Sequence, residues 1–322
     1  MWKRSKSRIA TKTPVEQSMA RMRYCMVQKY AKKDYFCRMI GTELHIVRKQ
    51  HLEALSSVFS RREAEQLMRV LLEDFFCIDW KQQLMCPDLT LDVAQCRILE
   101  DAVAELLTGK PVQYVTGVAR FDDLSLKVNP SVLIPRPETE EMVQKIAASS
   151  IAPKRIWDVG TGSGCIAIAL AKRFPEAELV AFDVSSAALA TAQANAEMNA
   201  AVVRFVCDDV LAPQSDFFRQ PVDLVVSNPP YICERERVTM LPNVLDYESE
   251  TALFVPDADP LLFYRQILLL ARPCLNTQGV VWFEINEAMG EAMMRLCREM
   301  GYSHAEILLD FAEKPRFCVA HL

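Results

Sequence analysis

Residues 155–174 read Arg155-Ile-Trp-Asp158-Val159-Gly160-Thr161-Gly162-Ser163-Gly164-Cys165-Ile-Ala-Ile-Ala-Leu-Ala-Lys-Arg-Phe174. An apolar run of strand length ends in a glycine-rich turn, and a helical pattern follows directly. Strand, turn and helix in that order open an α/β unit. Glycines at such a turn let the backbone approach a ligand closely, and the helix N-terminus that follows favours a carboxylate or phosphate. The spacing is GxGxG, whereas the dinucleotide fingerprint is GxGxxG, so Asp158, Gly160, Thr161, Gly162, Ser163 and Gly164 point to S-adenosyl-L-methionine in preference to NAD. Asp183 closes the next strand-like run, Leu179-Val-Ala-Phe-Asp183. An acid at that place in dinucleotide folds accepts from the ribose hydroxyls. Asp208 and Asp209 end the third run, and Asp209 is expected near the adenine; the plainer reading is that these acids cap the next turn.

Outward from this stretch, helix and strand patterns alternate from Glu138 onward. Strands are expected near 155–159, 178–184, 202–207, 222–227 and 279–285. Such alternation predicts a doubly wound, mainly parallel sheet. Two last strand-like runs, 305–311 and 316–321, are separated by a short turn and so must pair antiparallel. Upstream, Arg62-EAEQLMRVLLEDFF and Leu91-DVAQCRILEDAVAELL place apolar residues three and four apart, the mark of amphipathic helices. Ser60 followed by Glu63 looks like a capping box. The period falls to two near Phe121–Val128, with Gly117 and Asn129-Pro130 as punctuation, which predicts a β-hairpin. The expected division is a basic and disordered arm over 1–40, a helical substrate-recognition domain over 41–111, a hairpin linker over 112–136 and a cofactor-binding domain over 137–322.

The fourth strand, Val222-Asp-Leu-Val-Val-Ser227, leads into Asn228-Pro229-Pro230-Tyr231. This tetrapeptide therefore lies at the carboxyl edge of the sheet, beside the glycine loop. An amide or amino nitrogen attached to a planar group is a poor nucleophile because its lone pair is delocalised. If the Asn228 side-chain oxygen and the Pro229 carbonyl accept its two N–H bonds, the lone pair is aimed for in-line attack on a methyl group. The prolines stiffen the loop, and Tyr231 can cover the flat face of the acceptor.

Composition narrows the classes. The 322 residues allow one large domain and a smaller partner. The longest apolar runs, such as 165–171, fall far short of the ~20 residues a membrane span needs. Eleven cysteines are scattered without a CxxC pair, and four histidines do not cluster with them, so reduced thiols and no metal are expected. Residues 1–40 carry eleven Lys and Arg against Glu16 and Asp34, a net +9 that leaves −14 on the remainder of a chain of net charge −5. An acidic body disfavours a broad nucleic-acid surface, although the arm could supply a basic footprint.

Several further stretches carry a family resemblance. Gln113-Tyr114, Gly117, Phe121, the run Leu133-Ile134-Pro135-Arg136-Pro137-Glu138-Thr139-Glu140, Asp158 to Gly164, Asn228 to Ile232, Tyr247-Glu248, Ala252-Leu253, Phe263-Tyr264-Arg265 and Phe283-Glu284-Ile285-Asn286 resemble the HemK/PrmC family. That family methylates the glutamine amide of peptide chain release factors in translation termination. The resemblance runs from about Leu44 to the C-terminus. It implies a Rossmann-like class I methyltransferase domain, a mainly parallel seven-stranded sheet with an antiparallel C-terminal strand, preceded by a small helical domain and a β-hairpin linker. It further implies that Gly160 to Gly164 and Asp183 bind the cofactor, that Asn228 to Tyr231 hold the glutamine of a Gly-Gly-Gln loop, and that Arg136 and Glu138 contact substrate. A monomeric cytoplasmic enzyme is expected. Where the family commonly has Glu-Pro, this chain has Glu248-Ser249. Asn-Pro-Pro-Tyr is shared with adenine-N6 and cytosine-N4 methyltransferases, so a DNA or RNA amino methyltransferase is the alternative, and a non-enzymatic RNA-binding role is the third reading.

Overall fold

The computed structural model describes residues 41–86 and 88–322; the basic arm expected over 1–40 lies outside the described residues. Internal contacts divide the chain at Thr116/Gly117 into two units.

The first unit is helical: α1 (Leu44–Leu55), α2 (Arg61–Phe76), α3 (Trp80–Met85), α4 (Val93–Leu107) and α5 (Val112–Thr116). The three- and four-residue spacing read in the sequence becomes a buried seam of Leu55, Met68, Leu71, Leu72, Leu99 and Leu106. At the start of α2 the Ser60 hydroxyl accepts from Glu63 N at 3.2 Å, so the Ser60 half of the expected box is present. Complete capping boxes instead start α3, between Asp79 and Gln82, and α4, between Asp92 and Gln95.

The second unit opens with a hairpin of β1 (Val118–Phe121) and β2 (Leu124–Lys127), paired antiparallel. Its Phe121, Leu124 and Leu126 share a core with Met142, Val143 and Ile146 of α6 (Pro137–Ala148). The sheet then forms from β3 (Arg155–Val159), β4 (Glu178–Asp183), β5 (Arg204–Cys207), β6 (Val222–Ser227), β7 (Leu275–Glu284), β8 (His304–Leu309) and β9 (Pro315–His321). Spatial order is β8-β9-β7-β6-β3-β4-β5. All neighbouring pairs from β7 to β5 are parallel, and β9 runs antiparallel to both β7 and β8. This is the α/β, mainly parallel sheet that the alternation predicted, with its reversed C-terminal strand.

Helices on both faces explain why β3 and β6 read as continuous apolar runs. One face packs on α7 (Cys165–Arg173), and the other on α9 (Leu262–Ala271), with α8 (Ser186–Met198) and α10 (Gly290–Glu299) completing the layers. Each buried Val, Leu or Ile of these strands contributes on the order of 1.5–3 kcal/mol. The strand order reverses between β3 and β6, and in open α/β sheets that reversal leaves a crevice at the strands' carboxyl ends. The loops carrying Gly160 and Asn228 leave the sheet at that point.

Candidate active site

A cleft of about 1100 Å³ opens there, lined among others by Gly160 to Ser163, Asp183, Asp209 and Asn228 to Pro230. The glycine loop is held from below. Gly160 N and Thr161 N both donate to Phe182 O at 2.9 Å, and Gly162 N donates to Asp183 Oδ2 at 2.9 Å. A Cβ added at Gly160 or Gly162 would meet no heavy atom within 4 Å, so the loop forms a cradle in which a ligand can approach the backbone closely. The N–H groups of Gly160, Thr161 and Gly162 are spent within the protein, so a ligand's carboxylate would be held at the N-terminus of the helix that follows the loop, its ribose by the acid at a strand end and its aromatic base by apolar walls.

The sequence-predicted residues take different places around this cradle. Asp183 lies on the wall; its Oδ1 accepts from Ser185 N at 2.9 Å, and its Oδ2 accepts from Gly162 N. Burial pushes its carboxyl up, and the N–H donors of Ser185 and Gly162 pull it down. Asp209 is also on the wall, with Oδ1 accepting from Leu211 N. Its neighbour Asp208 lines the cleft as well, but it is buried and its carboxylate accepts from the backbone N–H groups of Gln214 and Ser215, so it also closes the turn. Asp158 does not reach the cleft. It is fully buried, and its Oδ2 accepts from Thr161 Oγ1 at 2.6 Å and from Ala167 N at 3.1 Å, bracing the loop from behind. Burial pushes its carboxyl up to about 7. Gly164 is likewise off the cleft wall and faces α8: a Cβ there would sit 3.1 Å from Ala192 Cβ and Ile168 Cδ1.

A second cavity, about 550 Å³, adjoins the first. Both share Asn228, Pro229 and Pro230, with Leu133, Arg136 and Ala252 also common to the two, so the Asn228–Pro230 segment stands at the boundary between them. Tyr231 belongs to the second cavity only, whose other walls are chiefly apolar: Leu133, Ile232, Met240, Val244 and Leu253. Arg136 lines both cavities, with its Nη2 donating to Glu248 Oε1 and Oε2 at 2.6 and 2.7 Å. Glu138 lies in the first turn of α6 and on neither wall.

Two residues that sequence reasoning left without a role meet the tetrapeptide. Asn228 Nδ2 donates to Thr139 Oγ1 at 3.0 Å, and Thr139 Oγ1 donates to Glu284 Oε2 at 2.6 Å. The other oxygen of Glu284 accepts from Tyr231 Oη at 3.3 Å. Burial, together with the Glu284 carboxylate, pushes the Tyr231 phenol well up, which keeps it a neutral donor. The only signal for these two was their position: Thr139 beside Arg136 and Glu138 in an unusual proline-rich run, and Glu284 at the carboxyl end of a strand.

A glycine cradle and an Asn-Pro-Pro-Tyr boundary segment at the reversal point of a doubly wound sheet define a methyltransferase, and residues 138–253 match the model of the methyltransferase small domain. Residues 50–117 match the PrmC N-terminal domain. The release factor glutamine methyltransferase of Flavobacterium psychrophilum is 41% identical over 268 residues, 82% of this chain and 93% of its own. That of Bacteroides thetaiotaomicron is 39% identical over 84% of this chain and 96% of its own, and that of Chlorobaculum tepidum 38% identical over 74% and 81%. The chain belongs to the release factor glutamine methyltransferase family.

Proposed function

We propose that this protein transfers a methyl group from S-adenosyl-L-methionine to the side-chain amide nitrogen of the glutamine in the Gly-Gly-Gln motif of a peptide chain release factor. The observation that carries this reading is the boundary: Asn228 to Pro230 stand between a cleft with the cradle of a nucleoside cofactor and a second cavity of mostly apolar walls. Family membership supports the choice of acceptor, since the relatives are release factor glutamine methyltransferases. Gly160 to Ser163 hold the amino-acid end of the cofactor, Asp183 the ribose and Asp209 the adenine side. Asp158 holds the loop in shape. When bound, the cofactor supplies a methyl carbon made electrophilic by its sulfonium.

Asn228 Oδ1 and the Pro229 carbonyl accept the two N–H bonds of the substrate amide, which fixes its plane and turns its nitrogen toward the cleft. Tyr231, anchored through its hydroxyl on Glu284, presents its ring to the flat face of that amide. As the amide nitrogen gains its bond to the methyl carbon, the carbon–sulfur bond would break with S-adenosyl-L-homocysteine as the leaving group. The nitrogen then loses one proton to solvent, since Asn228 Oδ1 and the Pro229 carbonyl are too weakly basic to keep it, and the N-methyl amide retains a single N–H. Arg136, paired with the buried Glu248, shapes the shared rim of both cavities. The helical unit recognises the body of the release factor.

The test is incubation of the protein with labelled S-adenosyl-L-methionine and either a release factor or total nucleic acid. Label in the release factor, lost when its Gly-Gly-Gln glutamine is replaced, is the expected result. Label in nucleic acid alone would overturn the reading in favour of an amino methyltransferase of bases.

A further inference from the structure

An asparagine amide turned by half a rotation exchanges an acceptor for a donor at nearly constant shape. The acceptor role given above to Asn228 needs its Oδ1, not its Nδ2, to face the second cavity. Something outside the amide must decide between the two orientations. We infer that Thr139 and Glu284 are positioning residues that lock the Asn228 amide with its oxygen toward the substrate, acting through the hydrogen-bond chain Asn228 to Thr139 to Glu284. This inference rests on the reading of Asn228 as the acceptor clamp.

The direction of the chain follows from counting protons. Glu284, as a carboxylate, has none to give, and its side chain is 1% exposed. Each of its oxygens therefore demands a donor: Tyr231 Oη serves Oε1, and Thr139 Oγ1 serves Oε2 at 2.6 Å, a length typical of a hydroxyl on a charged oxygen. Thr139 has one hydroxyl proton and spends it there. What remains on Oγ1 is lone pairs, and the group 3.0 Å away on Asn228 must be the NH₂. The flipped amide would set Oδ1 against those lone pairs and leave a buried acceptor unpaired. Thr139, at 2% exposure, has no room for water to repair the mismatch. One buried charge thus fixes the polarity of an amide two hydrogen bonds away.

The same chain predicts how it fails. Burial pushes the Glu284 carboxyl up to about 7, with Thr139 and Arg316 pulling down and Glu138 pushing up. Tyr231, Tyr264 and Cys165, from the other elements packed around it, face it as neutral groups. Once protonated, Glu284 can donate to Thr139, whose own hydroxyl is then free to turn toward Asn228 and donate to the oxygen of the flipped amide. The transfer rate should fall as pH falls through about 7.

A mutant cycle on the full-length protein tests this, with single-turnover methylation of a release factor at saturating cofactor and calorimetric cofactor binding on every variant. Thr139→Val and Glu284→Gln should each lower kcat about 10²-fold, as expected when a reacting group is misaligned, with little change in cofactor affinity. Thr139→Ser should recover most of the rate. Thr139→Val combined with Asn228→Ala should be no slower than Asn228→Ala alone, because a residue that acts only through Asn228 has nothing left to orient. Both slow variants should also lose the acid limb of the rate profile. Normal kcat in Thr139→Val, or losses that multiply in the double variant, would overturn the inference. If Thr139→Val does not fold, Thr139→Ala and Glu284→Gln carry the same cycle. A wild-type protein that leaves the release factor unlabelled would instead sink the proposed function.

Discussion

The backbone N–H of Gly162 donates to Asp183 Oδ2 across 2.9 Å, tying the loop after β3 to the end of β4. One carboxylate thus holds the cradle's shape and lines the cleft. Asp183→Ala should weaken cofactor binding by an order of magnitude or more, since a charge-assisted hydrogen bond contributes about 1.5–3 kcal/mol, or one to two decades. Titration calorimetry reads this directly. Unchanged affinity would move the ribose site elsewhere.

Asn228→Asp should keep cofactor binding yet lose most of the transfer rate. The loop keeps its shape, but the donor to Thr139 is gone and a second acid faces Glu284. Asn228→Ala should be at least as severe, leaving a buried substrate N–H unpaired at a cost of about 1–3 kcal/mol. Near-normal single-turnover rates in both variants would make Asn228 a turn residue.

Gly160→Ala and Gly164→Ala should separate binding from stability. At Gly160, where φ is +76°, the methyl group carries left-handed backbone strain but meets no neighbour and projects into the open cradle, so cofactor affinity should drop with only that strain lost from stability. At Gly164, φ is +82° and the added Cβ meets Ala192 and Ile168 at 3.1 Å. Overpacking of that kind costs about 1–3 kcal/mol, before any strain from the left-handed backbone. Equilibrium urea unfolding of the two variants should show the larger loss for Gly164→Ala.

Removing Arg136 should destabilise the protein more than its own exposure suggests. Glu248 is 1% exposed in its side chain, and Arg136→Met leaves that carboxylate buried and unpaired, at a cost of about 3 kcal/mol. Arg136→Met with Glu248→Gln should recover part of it. A double variant no more stable than the single one would mean that the pair is not what holds the rim.

Asp158 sets part of the pH dependence of stability. Its folded carboxyl is pushed up to about 7 from an ordinary 3.8, so the native state holds a proton that the unfolded chain has released. Stability from this group is full below the unfolded value and is lost as pH rises through about 7. Asp158→Asn should flatten that fall. Thermal unfolding from pH 4 to 8 checks it, and parallel curves for the two proteins would remove Asp158 as the cause.

The sheet and the cradle were legible because their signals are local. Strand, glycine turn and helix follow one another within twenty residues, and Asn228 to Tyr231 sit directly after a strand. Thr139 and Glu284 were not legible in the same way. Thr139 finds Asn228 across 89 positions and Glu284 across 145, distances over which spacing carries no information. Asp158 illustrates the converse limit. Its place beside the glycines is plain in the sequence, but whether an acid at the end of a strand faces the ligand or the helix behind it depends on the last half-turn of backbone. Similarly, Asp208 and Asp209 are adjacent, chemically alike and both on the cleft wall, and only the path of the chain after β5 commits the buried Asp208 to the N–H groups of the turn and leaves Asp209 the more open of the two.

The placement of β9 has a consequence for how the chain is made. β8 reaches the sheet only through β9, which follows it in sequence and lies between it and β7. While the polypeptide is emerging from the ribosome, β8 therefore has no sheet neighbour, and the flank of β7 that β9 will cover stays open until residues 315–321 are released. The nascent chain carries its cofactor cleft at β3 to β6 before that flank is sealed, so binding competence should precede resistance to proteolysis during synthesis.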